Sequence, residues 1–271
     1  MPPDGITRDI RLLVSKDFRT WAPAEELTYA DGLELQMYTN NIMPYPRAPH
    51  ILFGLPTRYY ERRGWSANDS QFASAQTKRD RLKLYEWVGE REAVALTDAL
   101  FMLSRDGKHF YRYAEPFLTP GPETAENWLY GDCYFAYGMT DADEHHYRLY
   151  MRERHGLPGG KPLASYRIRK DGFACIAAGH EPKTAVTKPL LFTGQELHLN
   201  FSTSAYGSIV AEVLEEDGTP IPGAVSFEIY GDTTDRRVTL ADGETFQRFA
   251  GRPVRLRFRM CEAELYAIWF A

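Results

Sequence analysis

Short apolar runs separated by polar turns fill the first part of the chain, at residues 10–14, 50–55, 93–103, 133–139 and 147–151. Runs of that length bounded by turn residues predict strands rather than helices. One stretch, residues 78–88, has helical spacing, although its Tyr85-Glu86-Trp87-Val88 end reads equally as a strand. From about Tyr166 the strands lengthen and alternate more clearly. In residues 254–260 the apolar side chains take one face and Arg255, Arg257 and Arg259 the other, the pattern of a half-buried antiparallel strand. Residues 197–201 repeat it, and residues 208–214 and 225–230 flank a Pro- and Gly-rich connection, 217–223, that suits no central strand.

One spaced motif occurs twice: Ser15-Lys16-Asp17-Phe18-Arg19-Thr20-Trp21 and Ser104-Arg105-Asp106-Gly107-Lys108-His109-Phe110. Each copy places an Asp two residues and an aromatic six residues after the Ser, which predicts a hairpin corner whose Ser and Asp side chains bond turn amides. The copies start 89 residues apart (104 − 15), about twice the roughly 40–50 residues of a four-stranded propeller blade. The expected fold is therefore all-β: a partial or short β-propeller over residues 1–164, then an antiparallel β-sandwich over 165–271, with Gly159-Gly160-Lys161-Pro162 at the boundary.

Composition narrows the function classes. The chain has 271 residues, 44% hydrophobic and 25% charged, enough apolar content for one large or two medium cores. A net charge of −5 with Lys and Arg scattered among acids gives no basic stripe, so nucleic acid is not an expected partner. Cys133, Cys175 and Cys261 stand outside any metal-ligand spacing, and His145-His146 would point to opposite faces of a strand, so neither metal nor cofactor is expected. No run is long enough to span a bilayer, and residues 1–5 lack the basic-then-apolar order of a signal peptide, so the expectation is a soluble chain without a membrane partner, of unassigned location. Aromatic residues make up 14%, which suits strand packing and also the stacking of rings on sugars.

Several ordered segments carry a resemblance. Residues 38–46 (Tyr-Thr-Asn-Asn-Ile-Met-Pro-Tyr-Pro), 50–59, Leu96-Thr97-Asp98, 126–132 (Glu-Asn-Trp-Leu-Tyr-Gly-Asp) and 167–173 (Arg-Ile-Arg-Lys-Asp-Gly-Phe) resemble bacterial proteins related to family 32 glycoside hydrolases. The resemblance implies later propeller blades followed by a β-sandwich, and activity on carbohydrate. The family's Asn-Asp-Pro nucleophile segment, Arg-Asp-Pro stabiliser and Glu-Cys acid/base are not found in their expected contexts, and Cys261-Glu262 reverses the last. A five-bladed propeller takes roughly 200–250 residues, so the resemblance implies an incomplete one, with a homo-oligomer supplying the missing wall.

Glycoside hydrolysis uses two carboxyl groups across the scissile bond. Asp98 is the first candidate, because an acid in the apolar run 93–103 needs a partner; the alternative is a strand-end Asp capping a turn. Glu126 and Asp132 flank Asn127 and Trp128, an amide donor beside an aromatic platform, or else they form a solvated loop. Arg58 suits a carboxylate or a sugar hydroxyl, and equally an ion pair; Asn40 and Asn41 suit hydroxyls or a turn; Asp17 and Asp106 belong to the corners. Three functions follow: glycoside hydrolysis through paired carboxylates, carbohydrate binding without turnover, or an oligomerisation module.

Overall fold

Alternation becomes strand throughout the computed structural model, which describes residues 8–62, 86, 95–123, 127, 128, 130–152 and 163–271. The chain is all-β, with several sheets, none of them closed among the described residues. It divides into two compact units, residues 1–141 with 148–167, and residues 142–147 with 168–271. The expected boundary at 159–162, most of the helical stretch 78–88, and Glu126 lie outside the described residues.

The first unit opens with a two-stranded antiparallel pair, β1 (Arg11–Leu12) and β2 (Glu25–Glu26). A seven-stranded sheet follows, made of β3 (Thr28–Tyr29), β4 (Gln36–Met37), β5 (Met43–Tyr45), β6 (Ala48–Gly54), β7 (Thr57–Glu61), β8 (Ala95–Ser104) and β9 (His109–Leu118). β8 is its centre. β9 pairs with one edge, while β6 and β7 share the other, interrupted at Leu55-Pro56 where proline has no N–H for the ladder. The register of β8 runs unbroken from β7 to β6, and the irregularity against β9 between Ala99 and Phe101 lies on the β9 side, so β8 buries Ala95, Thr97 and Ala99 on one face and Leu100 and Met102 on the other. Leu100, Met102 and Phe110 then pack with Ile10, Leu27 and Met37, each large side chain contributing about 1.5–3 kcal/mol by burial. Arg112, buried beside this core, grips Asp31 through Nε (2.8 Å) and Nη2 (2.9 Å) and lies 3.9 Å from the centre of the Tyr29 ring. Burial sets the cost of an ionised Asp31, and the Arg112 hydrogen bonds overcome it, holding the carboxyl below its ordinary range.

The two corners have the expected geometry. Ser15 Oγ accepts from the Phe18 amide (2.8 Å) and Asp17 Oδ1 from the Arg19 and Thr20 amides (2.8 Å each). Ser104 Oγ accepts from the Gly107 amide (3.0 Å) and Asp106 Oδ1 from Lys108 (2.9 Å) and His109 (2.8 Å). The same position turns left-handed in both, Phe18 at φ 57° and Gly107 at φ 77°.

A four-stranded sheet of β10 (Tyr134–Phe135), β11 (Thr140–Asp141), β12 (His146–Arg152) and β13 (Ala164–Arg169) is centred on β12. The expected strand at 133–139 is reduced to two residues because Cys133 (φ 59°) and Gly138 (φ 95°) turn the chain at either side.

The second unit is built on two long antiparallel strands, β16 (Leu197–Glu215) and β19 (Val254–Phe270). β14 (Ile176–Ala178) and β15 (Lys183–Val186) pair with β19, and β17 (Pro220–Val225) and β18 (Asp232–Arg237) pair with β16. The alternation at 254–260 holds: Val254, Leu256, Phe258 and Met260 are buried. Beyond it parity reverses to Ala263 and Leu265. An irregularity at residues 204–207 of β16, opposite Glu262 at φ 40°, absorbs the extra residue and keeps one apolar face on the core. Arg169, at the end of β13, bonds this sheet through Asn200 Oδ1 (2.7 Å), the Phe201 carbonyl (2.9 Å) and Asp232 (2.5 Å). The expected strand at 225–230 is instead two isolated bridges at Ser226 and Ile229, because the Ser226 hydroxyl accepts the Ala211 amide (2.9 Å) in place of a backbone rung; β18 carries the pairing. The proline-rich connection contributes a strand after all, β17, placed at the end of the sheet where a missing N–H is tolerated.

Candidate functional site

Three threonine hydroxyls draw four separate segments of the first unit together. Thr57 and Thr97 are buried, and a buried hydroxyl must find partners. Thr57 Oγ1 donates to the Cys133 carbonyl (3.2 Å) and its amide donates to Thr39 Oγ1 (3.0 Å). Thr97 Oγ1 donates to the Asp132 carbonyl (2.8 Å) and accepts from the Gly131 amide (3.1 Å). The Tyr38 amide donates to the Thr57 carbonyl (2.8 Å). Residues 38–41, 57–59, 97 and 98, and 130–135 thus become neighbours, held in part by left-handed Asn41 (φ 47°) and Cys133 (φ 59°). Such backbone costs about 1–3 kcal/mol per residue and concentrates at functional sites.

On this floor stands a group of tyrosines. The Tyr38 ring centre lies 5.9 Å from Tyr59, 5.8 Å from Tyr130 and 5.9 Å from Tyr134. Tyr130 Oη donates to Tyr38 Oη at 2.7 Å, and the Arg8 guanidinium lies 5.3 Å from the Tyr59 ring centre. Tyr59 is buried, whereas Tyr38 is 42% exposed and Tyr130 half-buried. Burial, then hydrogen bonding within the group, pushes the Tyr130 and Tyr134 phenols above their ordinary range. The Tyr130 and Tyr134 hydroxyls therefore stay protonated around neutral pH, able to donate and to accept, beside ring edges and faces.

The expected site residues fall in and around this group, in different roles. Arg58 and Asp98 are cross-strand partners, Nε to Oδ1 at 2.8 Å and Nη2 to Oδ2 at 2.5 Å, with Arg58 Nη1 also donating to the Ala114 carbonyl (3.1 Å). Asp98 alternates with Thr97 along β8, so it projects from the opposite face of the strand to the threonine that anchors the Asp132 main chain. Asp132 is buried at 4% exposure. Asn41 Nδ2 donates to the Phe135 carbonyl (2.7 Å), and Asn40 Oδ1 accepts from the Ile42 amide (3.2 Å), a turn bond. Asn127 Nδ2 donates to the Pro120 and Pro122 carbonyls (2.8 Å each), and Trp128 Nε1 to the Gly121 carbonyl (2.8 Å), so both fasten their own loop. The tyrosines lie inside the resembling segments or next to them; their signal is a tyrosine in each of three segments that also carry turn residues.

His145 and His146 go separate ways, to Thr234 Oγ1 (2.7 Å) and Asp143 Oδ1 (2.8 Å). Among the described residues no group of three His, Cys, Asp or Glu is arranged to hold a metal ion, and no helix is long and apolar enough to cross a membrane. No protein-family model and no curated protein matches the chain.

Proposed function

We propose that this chain binds carbohydrate at the tyrosine group of its first unit, within a propeller-and-sandwich architecture of the kind seen in proteins related to family 32 glycoside hydrolases. One observation carries the reading: four of the five segments that bear the resemblance, distant in sequence, contribute residues that meet around Tyr38 and Tyr130, whose linked hydroxyls are 2.7 Å apart. A saccharide presents apolar ring faces and hydroxyls together, and an accessible group offering both aromatic surface and neutral donors matches that chemistry. Binding without turnover is favoured over hydrolysis because the Asp98 carboxyl is held on both oxygens by Arg58, an ion pair that turns it toward the guanidinium and away from the strand face that carries Thr97.

The test combines affinity electrophoresis in gels containing soluble polysaccharides with a reducing-end assay on the same panel. Retardation by at least one polysaccharide with no release of reducing ends supports the reading. Release that is abolished by Asp98→Asn would replace it with hydrolysis, and absence of retardation across the panel would remove carbohydrate altogether.

A further inference from the structure

The first copy of the repeated corner differs from the second in one respect that its own folding does not require. Gly107 fills the left-handed position in the second corner, and a side chain there would crowd Leu52 Cδ1 at 3.2 Å. Phe18 fills the same position in the first, in a conformation that costs a β-carbon strain, and is 85% exposed. Trp21 meets it edge to face at 5.7 Å and is 47% exposed; Leu13 and Val14, consecutive on the chain and so on opposite faces of the hairpin, are 50% and 55% exposed. Apolar surface is thus presented on both faces and at the tip. β1 and β2 pair only with each other among the described residues, leaving both outer edges of the ribbon without a neighbouring strand. Leu12 packs against the first-unit core and Glu25 pairs with Lys108, so the base of the ribbon is anchored; its tip, residues 13–21, keeps open edges and exposed apolar side chains.

We infer that the hairpin of residues 11–26 is a self-association arm, covered by the same hairpin of a second copy of this chain. Two ribbons related by a two-fold axis make a four-stranded antiparallel sheet, which pairs one open edge of each ribbon and sets exposed apolar side chains of the two copies beside one another across the new strand pair. Charge fits the same occupant. Residues 11–26 hold three cations, Arg11, Lys16 and Arg19, and three acids, Asp17, Glu25 and Glu26, so the ribbon carries no net charge to oppose its own copy. It also has no cationic excess to seat it on an anionic lipid surface, and the whole chain at −5 is repelled from one. The inference is independent of the carbohydrate reading.

Sedimentation equilibrium on the full chain, across a dilution series from about 100 to about 1 µM, tests it with two variants. Phe18→Gly relieves the left-handed strain and matches the second corner, so it stays folded and, at dilutions where the parent is monomeric, melts no lower than the parent, while its dimer is at least about tenfold weaker. Leu13→Asp places a charge in the contact and gives monomer at every concentration. A parent that is monomeric throughout, or a dimer unchanged in Phe18→Gly and Leu13→Asp, overturns the inference. So does a monomeric parent that sediments with vesicles of anionic phospholipid, which would identify the arm as a lipid contact.

Discussion

Backbone amides set the ionisation of the corner carboxylates. The His109 amide, the His109 ring and the Lys108 amide, in that order, hold the Asp106 carboxyl well below its ordinary value of 3.8, and the Thr20 and Arg19 amides do the same for Asp17. A carboxyl depressed on folding contributes stability that is full above the ordinary value and is lost as pH falls through the folded one. Melting temperatures should therefore drop between about pH 4 and pH 2, and Asp106→Asn should flatten that drop while lowering stability at neutral pH. A variant with the parent's acid profile would show that the corners do not carry the dependence. Asp98 makes a second case. In Asp98→Asn the bidentate grip of Arg58 is reduced to one neutral acceptor, and the half-buried guanidinium loses its counter-charge. A loss of about 1–3 kcal/mol in urea melts is expected, with retention by polysaccharide gels unchanged. A stable variant that fails to bind would return Asp98 to the ligand site.

At the scale of elements, the long strands of the second unit depend on a matched pair of irregularities. An ideal β-carbon added at Gly207 would lie 2.3 Å from the Glu262 carbonyl oxygen and 2.9 Å from that of Cys261, so the two chains meet there backbone to backbone. Around this point Ser204 bonds Glu262, His180 Nδ1 lies 2.9 Å from the same carboxylate, and the His180 ring stacks on Tyr206 at 5.5 Å. Gly207→Ala should cost about 3 kcal/mol or more, read from the denaturation midpoint, whereas Gly218→Ala, with open space around its β-carbon but a left-handed φ of 94°, should cost about 1 kcal/mol. Equal effects would mean that close approach is not what selects glycine at 207. The alternation at 254–260 was legible because burial on one face leaves a period of two in the sequence. The joining of residues 197–201 and 208–214 into one strand was not, since the signal breaks where residues 204–207 leave the ladder. β18, with its Asp-Thr-Thr-Asp-Arg-Arg composition, carries no apolar pattern at all; its place is set by pairing with β16.

For the whole molecule, residues 38–41, 57–59, 97, 98 and 130–135 meet in the first unit, joined by threonine hydroxyls and tyrosine rings. Spacing can show that residues 38–41, 57–59, 97–98 and 127–132 are turn-rich and aromatic. It cannot show that Arg58 and Asp98 stand opposite each other across two strands, because that register depends on where Pro56 interrupts the edge of β8. Nor can it show that Thr57 and Thr97 fold the 131–133 main chain inward and bring Tyr130 to Tyr38. What remains exposed after those contacts is aromatic and hydroxyl-bearing, and the carbohydrate reading rests on it. A second exposed pair, Tyr111 and Tyr113 on β9, 57% and 37% exposed with ring centres 5.5 Å apart, provides the control. The most direct measurement is calorimetric titration of the parent, Tyr38→Ala and Tyr111→Ala with oligosaccharides from whichever polysaccharide retards the protein. The account predicts saturable binding to the parent, weakened about tenfold or more by Tyr38→Ala and unaffected by Tyr111→Ala. Binding that survives Tyr38→Ala and disappears in Tyr111→Ala would contradict it, placing the saccharide on the face of β9.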